Sequence, residues 1–278
     1  MGFFDLLDPD ERRWRNEAKQ EAREYRQEAK EILSDAKDLY NDYKELKSDT
    51  QRIANKLSDF IRSYNSYKVD LLKDLGGDIN NTIENFKRFN ISSRVISAPK
   101  IDDNYAPTVS TFSTSNFMPD MGLNPISLIF SSLSDPYKDR DRAIDESDKA
   151  RDYFYKVQDA YGELKILFES LNGTKKFVES DRENLTQLAE KIRGLVGQLK
   201  NAMNRNSFTE NEARYMTGIS KIAELIKNSL EQRIANNSGN VESNYRQYSD
   251  KLRDINNLIP ATPKIENSST WLERIINY

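Results

Sequence analysis

Where this chain lacks proline constrains its fold more than any single residue it contains. Its eight prolines stand at Pro9, then at Pro99, Pro107, Pro119, Pro125 and Pro136, then at Pro260 and Pro263, which leaves 10–98 and 137–259 without one. Proline inside a helix costs about 3 kcal/mol or more, because it lacks the N–H and its ring clashes with the preceding turn. Two long proline-free intervals are therefore what continuous helices permit, and the periodicity inside them predicts that helices form.

In the first interval a seven-residue spacing runs Ala22, Ala29, Ala36, Tyr43, Thr50, Leu57, Tyr64, Leu71. The interleaved series is Tyr25, Ile32, Leu39, Leu46, Ile53, Phe60, Tyr67. Only Thr50 interrupts an apolar or aromatic seam, and a sustained 3-4 spacing imposes a left-handed supercoil. Asp8 is placed to cap, Pro9 takes the first helical position, and Glu11 completes a capping-box-like spacing. The expectation is a helix over 9–89, preceded by an apolar N-terminal segment at 1–8 and weakened or broken at Gly76-Gly77.

The second interval repeats the pattern with Ala143, Ala150, Val157, Leu164, Leu171, Val178, Leu185, Ile192, Leu199. Its register survives Asn172-Gly173-Thr174, so one helix is expected over 136–205, on the order of 100 Å long. A third helix is expected over 209–259, opened by a Thr209/Glu212 capping box, interrupted at 236–239 and stopped by Pro260. The tail at 260–278 carries a further short helix with Thr270 and Glu273 at capping-box spacing and an apolar face of Trp271, Leu272, Ile275 and Ile276.

These elements predict an all-α fold: an elongated antiparallel three-helix coiled-coil bundle with a proline- and serine-rich apolar head at one end. Short connections place helices antiparallel, and the link between the second and third helices is short. A parallel homo-oligomeric coiled coil is the rival arrangement. Composition favours a rod over a sphere. The hydrophobic set is 37% and charged residues 31%, against a usual 45–50% and about 25%, and a rod buries only a narrow stripe per helix.

The head at 90–135 is poor in charge and rich in Ser, Thr and Pro. Its most apolar window holds Phe117, Met118, Met121, Leu123, Ile126, Leu128, Ile129, Phe130 and Leu133. Those nine residues are the candidate interaction surface, for a protein partner or a membrane, unless they fold over the rod's end as a buried cap. Trp271, Leu272, Ile275 and Ile276 are the secondary candidate, with docking back onto the bundle as the alternative. The window is too short and too interrupted to cross a bilayer alone.

Charge and residue types narrow the function classes. A net charge of −3 from 42 basic and 45 acidic residues argues against nucleic acid, whose binders carry a basic field. With no cysteine and no histidine, thiolate sites, cysteine nucleophiles and the commonest general base are excluded, and no catalytic residue, metal or cofactor is expected. Asp102-Asp103 and the cluster Asp139, Asp141, Asp145, Asp148 read as solvated faces. Gly162, Gly173, Gly194, Gly197 and Gly218 fall inside expected helices, as close packing points or as hinges. Neither a secretory signal nor a membrane-spanning segment is evident, which points by default to the cytoplasm.

The leading functional expectation is a non-enzymatic structural or protein-interaction coiled-coil rod that spaces, tethers or assembles partners, with a homo-oligomer as one form of assembly. The alternative is a soluble α-helical pore-forming or membrane-inserting component using the 117–133 window. In general shape the chain is similar to the ClyA-type α-helical toxins, which join a long helical rod to an apolar head, a likeness of architecture alone.

Overall fold

The computed structural model describes residues 8–88, 97–102, 105–108, 133–203, 209–265 and 270–277, with the side chains of 85–88 and 202–203 excepted. The fold is all-α, and the described residues form five helices: α1 (Pro9–Arg88), α2 (Pro136–Met203), α3 (Glu210–Leu230), α4 (Ser243–Leu258) and α5 (Thr270–Ile276). The chain divides into two compact units. Unit 1 comprises Met1–Arg52 with Thr114–Glu169, and unit 2 comprises Ile53–Ser113 with Ser170–Tyr278.

α1 begins where Pro9 predicts. The Asp8 carboxylate accepts from the Asp10 N–H at 3.2 Å, while Glu11 pairs with Arg15 instead of reaching back to the cap. The helix then runs unbroken through Gly76-Gly77. Leu71, Leu72, Leu75, Ile79 and Ile83 flank that pair and are all at most 2% exposed. Each glycine costs about 1 kcal/mol in a helix, whereas each buried aliphatic side chain contributes about 1.5–3 kcal/mol, so packing outweighs the weak spot.

In unit 1 the seven-residue seam is the core. Ala22, Ala29 and Ala36 on α1 and Ala143, Ala150 and Val157 on α2 are fully buried. Tyr43 packs with Ala160 and Leu164, and Ala36 with Tyr153 and Val157. The flanking residues Tyr25, Ile32, Leu39, Phe154 and Tyr161 are only half-buried. Buried positions here are sparse, as expected where a helix covers a narrow stripe.

Pairs across the unit fix the helix direction. Arg26 bonds Asp139 and Glu146, Glu28 bonds Ser147 and Arg151, and Tyr43 meets Leu164, with hydrogen-bonded partners always 113 to 123 residues apart. Partners that advance together mean that α1 and α2 run parallel, which corrects the antiparallel expectation for these two helices. Heptad patterning is the same for either direction, so the seam could not decide it.

Unit 2 shows the same direction: Tyr64 bonds Asp181 and Asp78 pairs with Lys200 at 2.6 Å. The described residues that follow α1 lie beside its second half. Ala98 is buried, the Pro99 carbonyl lies 3.5 Å from where a Gly76 Cβ would stand, and Asn65 donates to the Thr108 carbonyl at 3.3 Å. Thr108 in turn donates its N–H to Leu230 O at 3.1 Å and its hydroxyl to Glu231 O at 3.1 Å. The described residues 97–102 and 105–108 therefore lie along α1 and run opposite to it; the apolar window expected as the head lies, apart from Leu133, outside the described residues.

α3 starts at the expected capping box, with Thr209 and Glu212 bonding reciprocally. The segment expected as a third helix with a break at 236–239 is two helices, and the break spans residues 231–242. An Ala235–Val241 bridge closes it, Asn236 donates to Asn240 O, and Gly239 supplies a φ of 76°, a conformation that favours glycine. α4 then advances with α2: Thr174 meets Gly239, Asp181 meets Tyr245 and Ser249, and Lys191 meets Asn256 and Ile259.

Candidate functional site

The most chemically distinctive place among the described residues is a buried polar cluster in unit 2, where α1, α2 and α4 meet. α1 contributes Tyr64 and Lys68, α2 contributes Asp181, and α4 contributes Tyr245 and Ser249. All five are at most 2% exposed. The heptad seam places Tyr64 inward, and one turn later Lys68 follows it. A wide buried stripe in this half of α1 brings the flanking position inside, where the narrow seam of unit 1 leaves such positions in water.

Each polar atom here has a partner. Lys68 Nζ donates to the Tyr245 hydroxyl at 2.7 Å and lies 4.3 Å and 4.5 Å from the ring centres of Tyr64 and Tyr245. Asp181 Oδ2 accepts from the Tyr64 hydroxyl at 2.9 Å and the Tyr245 hydroxyl at 2.5 Å. Its Oδ1 accepts from Ser249 at 2.5 Å. Phe177 closes over Tyr245 edge to face.

Burial lowers the Lys68 ammonium to about 8, against a smaller upward pull from Asp181. The same burial pushes the Tyr64 and Tyr245 hydroxyls well above their usual range, reinforced by the Asp181 charge. A lysine with a lowered pKa beside a Tyr–Asp relay has the groups for proton transfer, but all of them are sealed from solvent. Fully satisfied networks of this kind rigidify a core and specify its register. The arrangement ties three helices at one level.

A second polar cluster lies in unit 1. Arg26 bonds Asp139 at 2.8 Å and 3.1 Å and Glu146 at 3.4 Å. Asp139 also accepts the Leu133 N–H at 2.5 Å. The Arg26 hydrogen bonds hold the Asp139 carboxyl below its usual range, with the Leu133 N–H adding to them. Asp139, only 6% exposed, is thus a buried pairing residue and not part of a solvated face. Its sequence neighbours do stay outside: Asp141, Asp145 and Asp148 pair with Arg140, Lys149 and Arg151.

Two surface hollows flank α2 in unit 2. One, of about 540 Å³, lies between Gln187, Lys191, Gln198 and the Ala261–Pro263 segment. Lys191 in its wall caps the last carbonyls of α4, bonding Asn256 O at 2.6 Å and Ile259 O at 2.8 Å. The other, of about 440 Å³, is edged by Phe60, Arg182 and acidic residues of α2. Among the described residues no group of three or more acidic side chains is placed to hold a metal ion.

Of the sequence-predicted surface, Phe117, Met118, Met121, Leu123, Ile126, Leu128, Ile129 and Phe130 lie outside the described residues, and Leu133 is 41% exposed. The tail is docked. Leu272 and Ile275 are buried against α3, with Trp271 and Ile276 half-buried. Thr270 is the first residue of α5, and Glu273 pairs with Arg214 of α3. Of the five glycines, only Gly218 sits at a close approach; an added Cβ would meet nothing within 4 Å at Gly162, Gly173, Gly194 or Gly197.

Sequence reasoning passed over Lys68 and Asp181 because charged residues off the seam ordinarily face water. Among the described residues no helix is long and apolar enough to cross a membrane. No protein-family model, no curated protein and no solved structure matches the chain.

Proposed function

We propose that the chain is a non-enzymatic coiled-coil protein that spaces, tethers or assembles partners, with α1 and α2 as a parallel in-register pair. The observation that supports this reading is the contrast between the two units. In unit 2 α4 bonds both long helices at Lys68 and Asp181, and Thr108 bonds α1 at Asn65, whereas in unit 1 the flanking residues Tyr25, Ile32, Leu39, Phe154 and Tyr161 stay half-buried. Tyr155 and Ile166, at 57% and 67% exposure, add apolar surface to the same stretch of α2. Half-covered aromatic and aliphatic rows on long helices are what partner helices pack against.

Site-specific photo-crosslinkers at Ile32 and Phe154, compared with one at Asp250 on α4, test it in the cell of origin. The expected result is a discrete protein adduct from the unit 1 positions and none from Asp250. Unit 1 positions that yield no adduct above the Asp250 control refute the reading.

A further inference from the structure

We propose that unit 1 docks onto unit 1 of a second copy, an acid-edged face of one chain lying on the opposite, lysine-edged face of the other. This names the partner for the coiled-coil reading above and rests on it. The seam between α1 and α2 divides the pair into two sides. On α1, residues three beyond a seam position turn to one side and residues four beyond it to the other; on the parallel α2 the two steps exchange sides. Two contacts show this: Ser147 donates to Glu28 on the first side, and Arg26 donates to Glu146 on the second. Ile32, Leu39, Phe154 and Tyr161 therefore share the first side, and Leu33 and Tyr40 lie on the second. All six are half-buried, so each side keeps apolar surface that the described packing leaves partly open.

Charge distinguishes the sides. Asp35 and Asp42 stand three residues beyond Ile32 and Leu39, one step further out on the first side, and Asp38 and Glu45 continue the column at three- and four-residue spacing. Like charges at that spacing repel. All four are exposed, and none makes an ion pair among the described residues. Glu28 and Asp49, a turn or two beyond either end, are met within the chain by Arg151 and Arg52, which leaves the middle of the column uncompensated. Lys37 and Lys44 stand four residues beyond Leu33 and Tyr40 on the second side. Lys44 lies over the Tyr40 ring at 4.2 Å, and neither lysine has an ion-pair partner among the described residues.

A second copy is the occupant that these charges select. Within one chain the two columns turn away from each other and do not meet. Lys37 and Lys44 have the same seven-residue spacing as Asp35 and Asp42. Parallel copies of α1 therefore match both pairs in one register, while Leu33 and Tyr40 of one chain meet Ile32 and Leu39 of the other beneath them. The chain's own segments outside the described residues supply no rival column, since each carries at most one basic residue in its sequence. The two faces differ, so the contact is heterologous and copies add in series unless their rotation closes a ring.

The test uses full-length chains with the charge of one side reversed. Asp35→Lys with Asp42→Lys makes both sides basic; Lys37→Glu with Lys44→Glu makes both acidic. Light scattering at low ionic strength is expected to show wild type associated, each variant alone monomeric, and the mixture of the two associated again. Salt is expected to weaken both assemblies by screening exposed charge. Wild type that stays monomeric, or a mixture that stays monomeric while both variants keep wild-type helicity, overturns the proposal. A photo-crosslinker at Ile32 in the otherwise unaltered chain gives an independent reading. An adduct to the Leu33–Lys44 stretch of a second copy supports the proposal. Adducts only to a different protein overturn it and leave the coiled-coil reading standing, whereas no adduct sinks both.

Discussion

Replacing Lys68 with methionine keeps a long unbranched side chain and removes a charge from the middle of unit 2. Two effects oppose each other. The ammonium stands at about 8 in the folded chain against an ordinary 10.5, a difference that corresponds to roughly 3 kcal/mol of cost for keeping it charged there at pH 7. Methionine relieves that cost but loses the donation to the Tyr245 hydroxyl, a hydrogen bond contributing about 1 kcal/mol net. Breaking a directly paired buried ion would cost about 3–5 kcal/mol instead. Lys68 bonds a hydroxyl, and Asp181 has three hydroxyl donors of its own, so desolvation wins. Lys68→Met is expected to stabilise the protein by about 2 kcal/mol at pH 7.

The pH dependence follows from the sign of the displacement. The folded value lies below the unfolded one, so the unfolded state binds more protons between about 8 and 10.5, and wild-type stability rises with pH across that window. The raised tyrosine hydroxyls act oppositely, their contribution being lost as pH climbs beyond about 10. Wild type is therefore expected to crest in alkaline solution, while Lys68→Met keeps only the rise that burial of the Lys191 ammonium supplies before the tyrosine limb. Urea unfolding followed by circular dichroism from pH 7 to pH 10 reads both. A variant several kcal/mol less stable than wild type at pH 7 refutes the reasoning.

Other expectations concern unit 1 and the helix interiors. Arg26→Met takes from the buried Asp139 the guanidinium that bonds it twice, while Glu146 keeps its pairing with Arg142, and is expected to cost about 3 kcal/mol in urea unfolding at pH 7. Because Arg26 holds the Asp139 carboxyl low, the wild-type contribution is present above the unfolded carboxylate pKa and fades as pH falls through the folded value. Acid titration of stability should therefore be shallower in Arg26→Met. Gly197→Ala, where a Cβ meets nothing within 4 Å, is expected to stabilise by about 1 kcal/mol, seen as a higher melting temperature. Thr209→Ala removes a reciprocal cap and is expected to cost about 1 kcal/mol by the same measurement.

Burial follows the sequence where periodicity alone decides it. Every member of the Ala22 to Leu71 series is at most 4% exposed, Thr50 included, and the Ala143 to Leu199 series is at most 2%. Thr50 needs no exception, since its hydroxyl donates to the Leu46 carbonyl one turn back at 2.7 Å. Helix direction was not legible, because a seven-residue repeat looks the same read either way along the partner. A clue lay in the length of the 89–135 connection, which is more than a turn needs and enough for a return path.

The buried cluster was hidden for a different reason. Lys68 and Asp181 are ordinary flank residues by position, and only the widening of the apolar stripe after Ala54, through Leu57, Ile61, Leu71 and Leu72, hints that their flank is covered. The docked tail was half legible. Trp271, Leu272, Ile275 and Ile276 announce an apolar face, but the glycine that receives them lies some fifty residues earlier and carries no pattern of its own.

Parallel pairing of α1 and α2 is the central claim, and the absence of cysteine from the chain makes it directly testable. Glu28 and Arg151 form an exposed ion pair in unit 1, and Asp78 and Lys200 form one in unit 2. Each pair replaced by cysteines and treated with a short bifunctional maleimide is expected to yield an intramolecular crosslink, read by mass spectrometry of the digested monomer. Crosslinks absent from both pairs, or found only between two copies, would contradict the parallel in-register pairing.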